Sequence, residues 1–222
     1  MKGLFAANKD FWTPQNKHSM YLGLLLLALA MMIQVGAGRY SEKRAMNANF
    51  AGDIFLDNLP VWDLGLVIVQ GAMLVTILGI ALFAIKPRYV LFGVKAAALF
   101  IITRSFFVDL THIGIYPRSL FEVDGFGASL YNAVQFNGNF FFSGHTGMPF
   151  LLALIFWREK FWRRFFLATS IFFGASVLLA HVHYSIDVFA APFITYSILR
   201  IAAKLFPRDY ALINNLTGKA SP

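Results

Sequence analysis

His183 and Asp187 stand four residues apart in the stretch His183-Tyr184-Ser185-Ile186-Asp187, a spacing that sets two side chains on one face of a helix. Asp187 can then accept a hydrogen bond from one ring nitrogen of His183 and leave the other exposed, which makes a directed nucleophile or base. A second stretch, Ser143-Gly144-His145-Thr146, opens an apolar run. It brings small residues and free backbone N–H groups to a helix N-terminus, where the dipole and the orphan donors attract an anion such as phosphate, with His145 beside it. A third element is Arg104, well inside another apolar run and seven residues before Thr111. Insertion scales put a central arginine at roughly +2.5 to +3.5 kcal/mol, so such residues usually face a polar cavity.

Each element also has a plainer reading. His183 and Asp187 can be a hydrogen-bonded pair at a helix junction, and Ser143 a helix cap beside a small-residue packing site. The two motifs together favour catalysis over those readings. For Arg104, contact with phosphate and pairing with Asp109 or snorkelling stay open. His181 and His112 read as spare interfacial histidines, and Lys95 as a side chain that snorkels toward the cytoplasmic face. The Phe140 to Phe142 run reads as lipid-facing or core packing.

The elements that must position these groups are apolar and long. The chain of 222 residues is 58% apolar, with 25 phenylalanines. Apolar runs cover about Met20 to Val35, Leu64 to Ile85, Tyr89 to Leu110, Phe140 to Trp157, Phe165 to Ala180 and Ile186 to Leu205. A hydrocarbon core takes about 20 helical residues to cross, and none of the runs shows the alternation of a membrane barrel strand. The expected fold is all-α, a polytopic membrane protein with a six-transmembrane-helix bundle. Short polar stretches between the runs leave no room for a separate soluble domain, so residues 1–222 form one integral membrane domain. Lys2, Lys9 and Lys17 precede the first run, but its length and the lack of a clear small-residue cleavage site favour a retained helix over a signal peptide.

The net charge of +8 does not point to nucleic acid, because the cations flank the apolar runs, where they act as topology signals. One set of connections holds Lys2, Lys9, Lys17, Lys86, Arg88, Arg158, Lys160, Arg163, Arg164, Arg200, Lys204, Arg208 and Lys219. The other holds Arg39, Lys43, Arg44 and Arg118, balanced by Glu42, Asp53, Asp57, Asp63, Glu122 and Asp124. Both termini should therefore be cytoplasmic, which sends the three chemical elements to the opposite, periplasmic or lumenal, face. The Gly-rich, aromatic loop from Thr111 to Asn139 reads as interfacial. The Asn215-Leu216-Thr217 sequon falls in the cytoplasmic tail and decides nothing. The absence of cysteine removes disulfides, thiolate nucleophiles and Cys-type zinc sites.

The pair of motifs Ser143-Gly144-His145-Thr146 and His183-Tyr184-Ser185-Ile186-Asp187 resembles the core of the type 2 phosphatidic acid phosphatase superfamily, and more closely its sphingomyelin synthase-like branch. The branch also carries an Arg with a Thr seven residues on, as Arg104 and Thr111 stand here. The resemblance spans about Arg104 to Tyr196. It implies that His183 attacks phosphorus to give a phosphohistidine, that Asp187 orients it, and that His145 protonates the departing alcohol oxygen. Ser143, Gly144, Thr146 and Arg104 are then the phosphate-binding groups, and no metal or cofactor is implied.

Departures accompany the match. Val177 follows Ser176 where the wider superfamily has a Ser-Arg pair, Asn137-Gly138-Asn139 stands for the branch's Cys-Gly-Asp, and Lys95 lies nine residues before Arg104 with no proline after it. The expected activity is transfer of a phosphoryl or phospho-headgroup from a phospholipid to a lipid alcohol, with water as the acceptor in a phosphatase alternative. A non-catalytic lipid scramblase or transporter is a different class that would tolerate loss of His183 or Asp187. A proton or metal transporter would need ionisable groups across the membrane depth. A zinc site of His145, His183 and Asp187 is chemically legitimate but secondary, since the H-x-x-x-D spacing suits imidazole orientation equally well.

Overall fold

The computed structural model describes residues 11–110, 112–117, 119 and 141–214. Among them the chain is helical: α1 (Pro14–Ala45), α2 (Gly65–Ile85), α3 (Pro87–Val108), α4 (Gly144–Ile155), α5 (Lys160–Leu179), α6 (Ser185–Leu205) and α7 (Pro207–Asn214). Five of these, α1, α2, α3, α5 and α6, are long and apolar enough to cross a membrane, which makes a multi-pass membrane protein the natural reading.

The fourth expected span is shorter than the sequence suggested. Its apolar run of about Phe140 to Trp157 yields a helix of 12 residues, about 18 Å at 1.5 Å per residue, against a hydrocarbon core of about 30 Å. Apolar character continues past the helix at both ends, but Ser143 caps it and the chain turns at Phe156, so hydropathy overstates the helical length. Six full spans are therefore not what the helices measure. The first helix departs the other way, running 32 residues where about 16 were expected. Thr13 accepts from the Asn16 N–H at 3.3 Å and Pro14 supplies a preset first turn.

α3 is the axis of the bundle and the most buried long helix. It starts at Pro87, whose ring cannot continue α2 through Lys86, so two spans meet at one break. Lys86 is held there by Glu159 at 2.6 Å. α1 lies along α3 in parallel: Gly23 faces Val94 and Lys95, and Tyr40 stacks edge-on against His112 beyond the far end. Phenylalanines fill the interior rather than only facing lipid. Phe156 meets Tyr89 at 4.6 Å, Phe83 at 5.8 Å and Phe166 at 6.1 Å between ring centroids, and Phe142 is fully buried edge-on to Phe100.

Lys95 does not snorkel. It is buried at the core of the bundle, bonded to Ser19 Oγ at 2.6 Å and ion-paired with Asp209, while Ser19 donates to Asp209 at 2.7 Å. A partner one helix turn into α7 satisfies the ammonium where it stands, so the long climb to the interface is unnecessary. The loop readings that involve Thr111, Asn137-Gly138-Asn139 and Asn215-Leu216-Thr217, and most of the stretch from Thr111 to Asn139, fall outside the described residues.

Candidate active site

The Ser143 and His183 motifs meet through the backbone. The Ser143 N–H donates to the Asp187 carbonyl at 2.8 Å, so the first residues of α4 and α6 are pinned side by side. Ser143 then caps α4 as its type predicts, accepting from the Thr146 N–H at 3.4 Å. The Ser170 hydroxyl on α5 donates to the Thr146 carbonyl at 2.8 Å, fixing the first turn of α4 from its other side.

His183 reaches its place through a tight helix ending. At the end of α5 the Val182 N–H bonds to the Val177 carbonyl and the His181 N–H to the Leu178 carbonyl, the pattern of a Schellman cap. Its left-handed residue is usually glycine; here it is His181, with φ 54°, which costs of order 1 kcal/mol for a residue with a Cβ. His181 is 1% exposed with its ring 5.3 Å from that of Tyr116, so it is a buried packing residue rather than a spare interfacial one. Two residues on, His183 is buried and its Nδ1 lies 3.2 Å from Asp187 Oδ2. Asp187 Oδ2 also accepts from the Tyr184 N–H at 3.1 Å. One carboxylate thus closes the first turn of α6 and orients an imidazole, so the plain and the chemical readings of Asp187 both hold geometrically. With Nδ1 turned to Asp187, Nε2 is on the opposite side of the ring.

His145 stands across from this pair, its ring centroid 6.0 Å from that of His183 and 6.3 Å from that of Phe173. Arg104 joins them from α3. It is buried, and its Nε donates to the Phe142 carbonyl at 3.3 Å, directly before the Ser143 cap. A Cβ placed on Gly144 would sit 3.5 Å from Arg104 Nε, so the Arg104 side chain packs beside the first residue of α4. Among the described residues no ion pair joins Asp109 to Arg104, and its buried Oδ1 has no hydrogen-bond partner there. Arg104, Gly144 and His145 line one cavity of about 240 Å3. Met31, Val75, Phe100, Met148 and Phe173 give it apolar walls, and Gln34 of α1 and Thr76 of α2 add polar groups. His183 is not among the lining side chains and approaches the cavity through His145.

Thus the structure gathers His145, His183, Asp187, Ser143, Gly144, Thr146 and Arg104 at one end of the bundle. It does not assemble His145, His183 and Asp187 as a metal-ligand set, and no group of three metal-ligating side chains occurs among the described residues.

Sequence reasoning missed two contributors. Gln34 interrupts the first apolar run and could have been marked for that reason alone. Asp53 carried no signal: from the α1–α2 loop it accepts from the Ser185 N–H at 2.6 Å, clamping the start of α6, and from the Phe55 and Leu56 N–H groups at 2.9 and 3.2 Å. Burial pushes the Asp53 carboxyl up, but the three backbone donors outweigh it and hold it below the ordinary carboxylate value.

Residues 138–204 match the family model described as PAP2 superfamily C-terminal, a stretch that contains both histidine motifs. The match supports the type 2 phosphatidic acid phosphatase superfamily for this part of the chain, and with it an enzyme of the lipid phosphatase or phosphotransferase type acting on phosphate esters. No curated protein and no solved structure matches the chain.

Proposed function

We propose that this protein is an integral membrane phosphotransferase, similar to sphingomyelin synthases, that moves a phosphoryl or phospho-headgroup from a phospholipid to a lipid alcohol. The observation that carries the reading is the meeting of His145 with the His183–Asp187 pair over the α4 N-terminus, with Arg104 laid against Gly144. In the first half-reaction His183 Nε2 forms a bond to phosphorus as the P–O bond to the donor's alcohol breaks, and His145 gives a proton to that departing oxygen. The product is a phosphohistidine and a free lipid alcohol. In the second, the acceptor hydroxyl returns its proton to His145 while its oxygen displaces the histidine from phosphorus.

Throughout, Asp187 holds the His183 tautomer and stabilises the positive ring. The Ser143, Gly144 and Thr146 segment and the Arg104 guanidinium offset the phosphate charge, which grows in the transition state. The apolar walls favour a lipid acceptor over water, because a dry site suppresses hydrolysis. Water in the same place makes the protein a lipid phosphate phosphatase. The positive-inside count puts both termini in the cytoplasm and this site on the periplasmic or lumenal side, with α4 and its flanking apolar residues as a sixth segment of one membrane domain.

The test is turnover of head-labelled phospholipids by purified protein in detergent with EDTA, with and without added diacylglycerol or ceramide, beside a His183→Ala control. A new headgroup-bearing lipid that requires His183 is the expected result. Free phosphate or phospho-alcohol instead assigns the phosphatase, and no His183-dependent product across the panel sinks catalysis in favour of a lipid scramblase or transporter.

A further inference from the structure

A second cavity, of about 410 Å3, lies where α1 ends and is lined by Tyr40, Lys43, Arg44, Asn47, Ala48 and His112. It is distinct from the His145 cavity, with which it shares no lining residue. Its side chains are built around one ring: Tyr40 packs edge-on against His112 at 5.2 Å, and the Arg44 guanidinium lies 5.3 Å over Tyr40. Asn47 Nδ2 donates to the Lys43 carbonyl at 3.2 Å, which closes the last turn of the helix. Among the described residues no carboxylate lines the cavity, although Asp109 lies within electrostatic reach of His112.

The cations alone have a simpler explanation, since Lys43 and Arg44 in the last turn complement the negative end of the α1 dipole. That does not account for His112. Its Nε2 is shielded from solvent and has no hydrogen-bond partner among the described residues, a state that costs about 1–3 kcal/mol unless something supplies one. Two cations, a carboxamide and an imidazole that can donate from Nε2 around one concavity have the chemistry of a phosphate receptor. The surroundings indicate what carries the phosphate: Met46, next to Asn47, and Leu110, two residues before His112, expose 67% and 58% of their surface, as acyl-chain contacts would require.

We infer that Lys43, Arg44 and His112 form a second phosphate-binding site, separate from the catalytic cavity, that holds the anionic headgroup of a phospholipid. The site is tied to the candidate catalytic face by the segment that follows His112. The Gly114 N–H donates to the Asn49 carbonyl at 3.0 Å and the Gly114 carbonyl accepts from the Tyr184 hydroxyl at 2.8 Å, beside His183. A lipid bound here braces the loop on which Tyr184 leans.

The experiment is native mass spectrometry of the purified full chain in detergent, titrated with dioleoyl phosphatidic acid, with dioleoylglycerol as the phosphate-free control. A His183→Ala background prevents turnover and keeps the outcome independent of whether His183 is catalytic. Two phosphatidic acids should bind, and Lys43→Gln/Arg44→Gln should weaken one of them about tenfold or more with unchanged thermal unfolding. His112→Gln, which keeps a donor, should retain more of that affinity than His112→Leu. Equal binding by the double variant and its parent overturns the site, and displacement by equimolar inorganic phosphate overturns the lipid as its occupant.

Discussion

Two buried cations on α3, Lys95 and Arg104, pose the same physical problem nine residues, or about 14 Å, apart. Both are less than a tenth exposed inside an apolar bundle, and both must offset the cost of leaving water. Lys95 is answered entirely by the protein, through Ser19 of α1, Asp209 of α7 and the Phe206 ring 5.0 Å from its Nζ. The cluster fastens three helices together. Arg104 donates to the Phe142 carbonyl and also borders a cavity shared with His145 and Gly144 at the N-terminus of α4. A charge that is closed off by its partners stabilises; a charge that fronts a cavity can meet a ligand. The difference lies in what surrounds each cation and not in its depth.

Substitutions can break this contrast. The largest effect should come from His183→Ala, which removes the attacking nitrogen and should lower transfer by about 10⁴-fold or more with a smaller loss of stability than at Lys95, because Asp187 keeps the Tyr184 N–H. Lys95→Ala should behave in the opposite sense. Stranding the Asp209 carboxylate should cost about 3–5 kcal/mol of stability, seen as a lower denaturation midpoint, with turnover per folded molecule preserved. Comparable loss of activity and stability in both variants would erase the distinction between the two ends.

Smaller effects sharpen it. Arg104→Ala should cost about 10² to 10³ in kcat, the scale of one preorganised donor to a developing charge, measured on the same labelled lipid. The double variant Lys95→Met/Asp209→Leu should regain most of the stability lost in Lys95→Ala, because the pair serves packing and its apolar replacement needs no desolvation. The smallest effect concerns Asp53. A carboxyl held below its unfolded value, about 3.9, contributes stability that is present above that pH and is lost as pH falls through the depressed folded value. Asp53→Asn should therefore lower the melting temperature modestly near neutrality and flatten the acid limb, so that variant and parent converge as pH falls.

The residues of the candidate site were readable because their chemistry is local. The spacing of His183 and Asp187 foretold their contact, although His183 makes it from the turn before the Tyr184 cap and not along a helix face; a serine before a glycine at the head of an apolar run caps the helix that follows. The Arg104 alternatives were not separable locally, since Asp109 and the α4 N-terminus were equally reachable on paper. Lys95 was misread for a related reason: its partner Asp209 is 114 residues away, and no window of sequence contains both.

By itself, then, the sequence determined the elements and their chemistry: apolar helices where hydropathy exceeds the cost of insertion, breaks at Pro87 and at the α5–α6 turn, and two histidine motifs at helix starts. These follow from short-range terms, namely hydropathy, capping and helical period. Tertiary structure decided how they are used. It shortened α4, set Ser143 against Asp187 and laid Arg104 on Gly144. It also closed Lys95 in an ion pair, hung the start of α6 from Asp53, and gathered Lys43, Arg44 and His112 around a second cavity. Each of these joins residues far apart in the chain, and their energies depend on packing and desolvation that exist only once the bundle has formed.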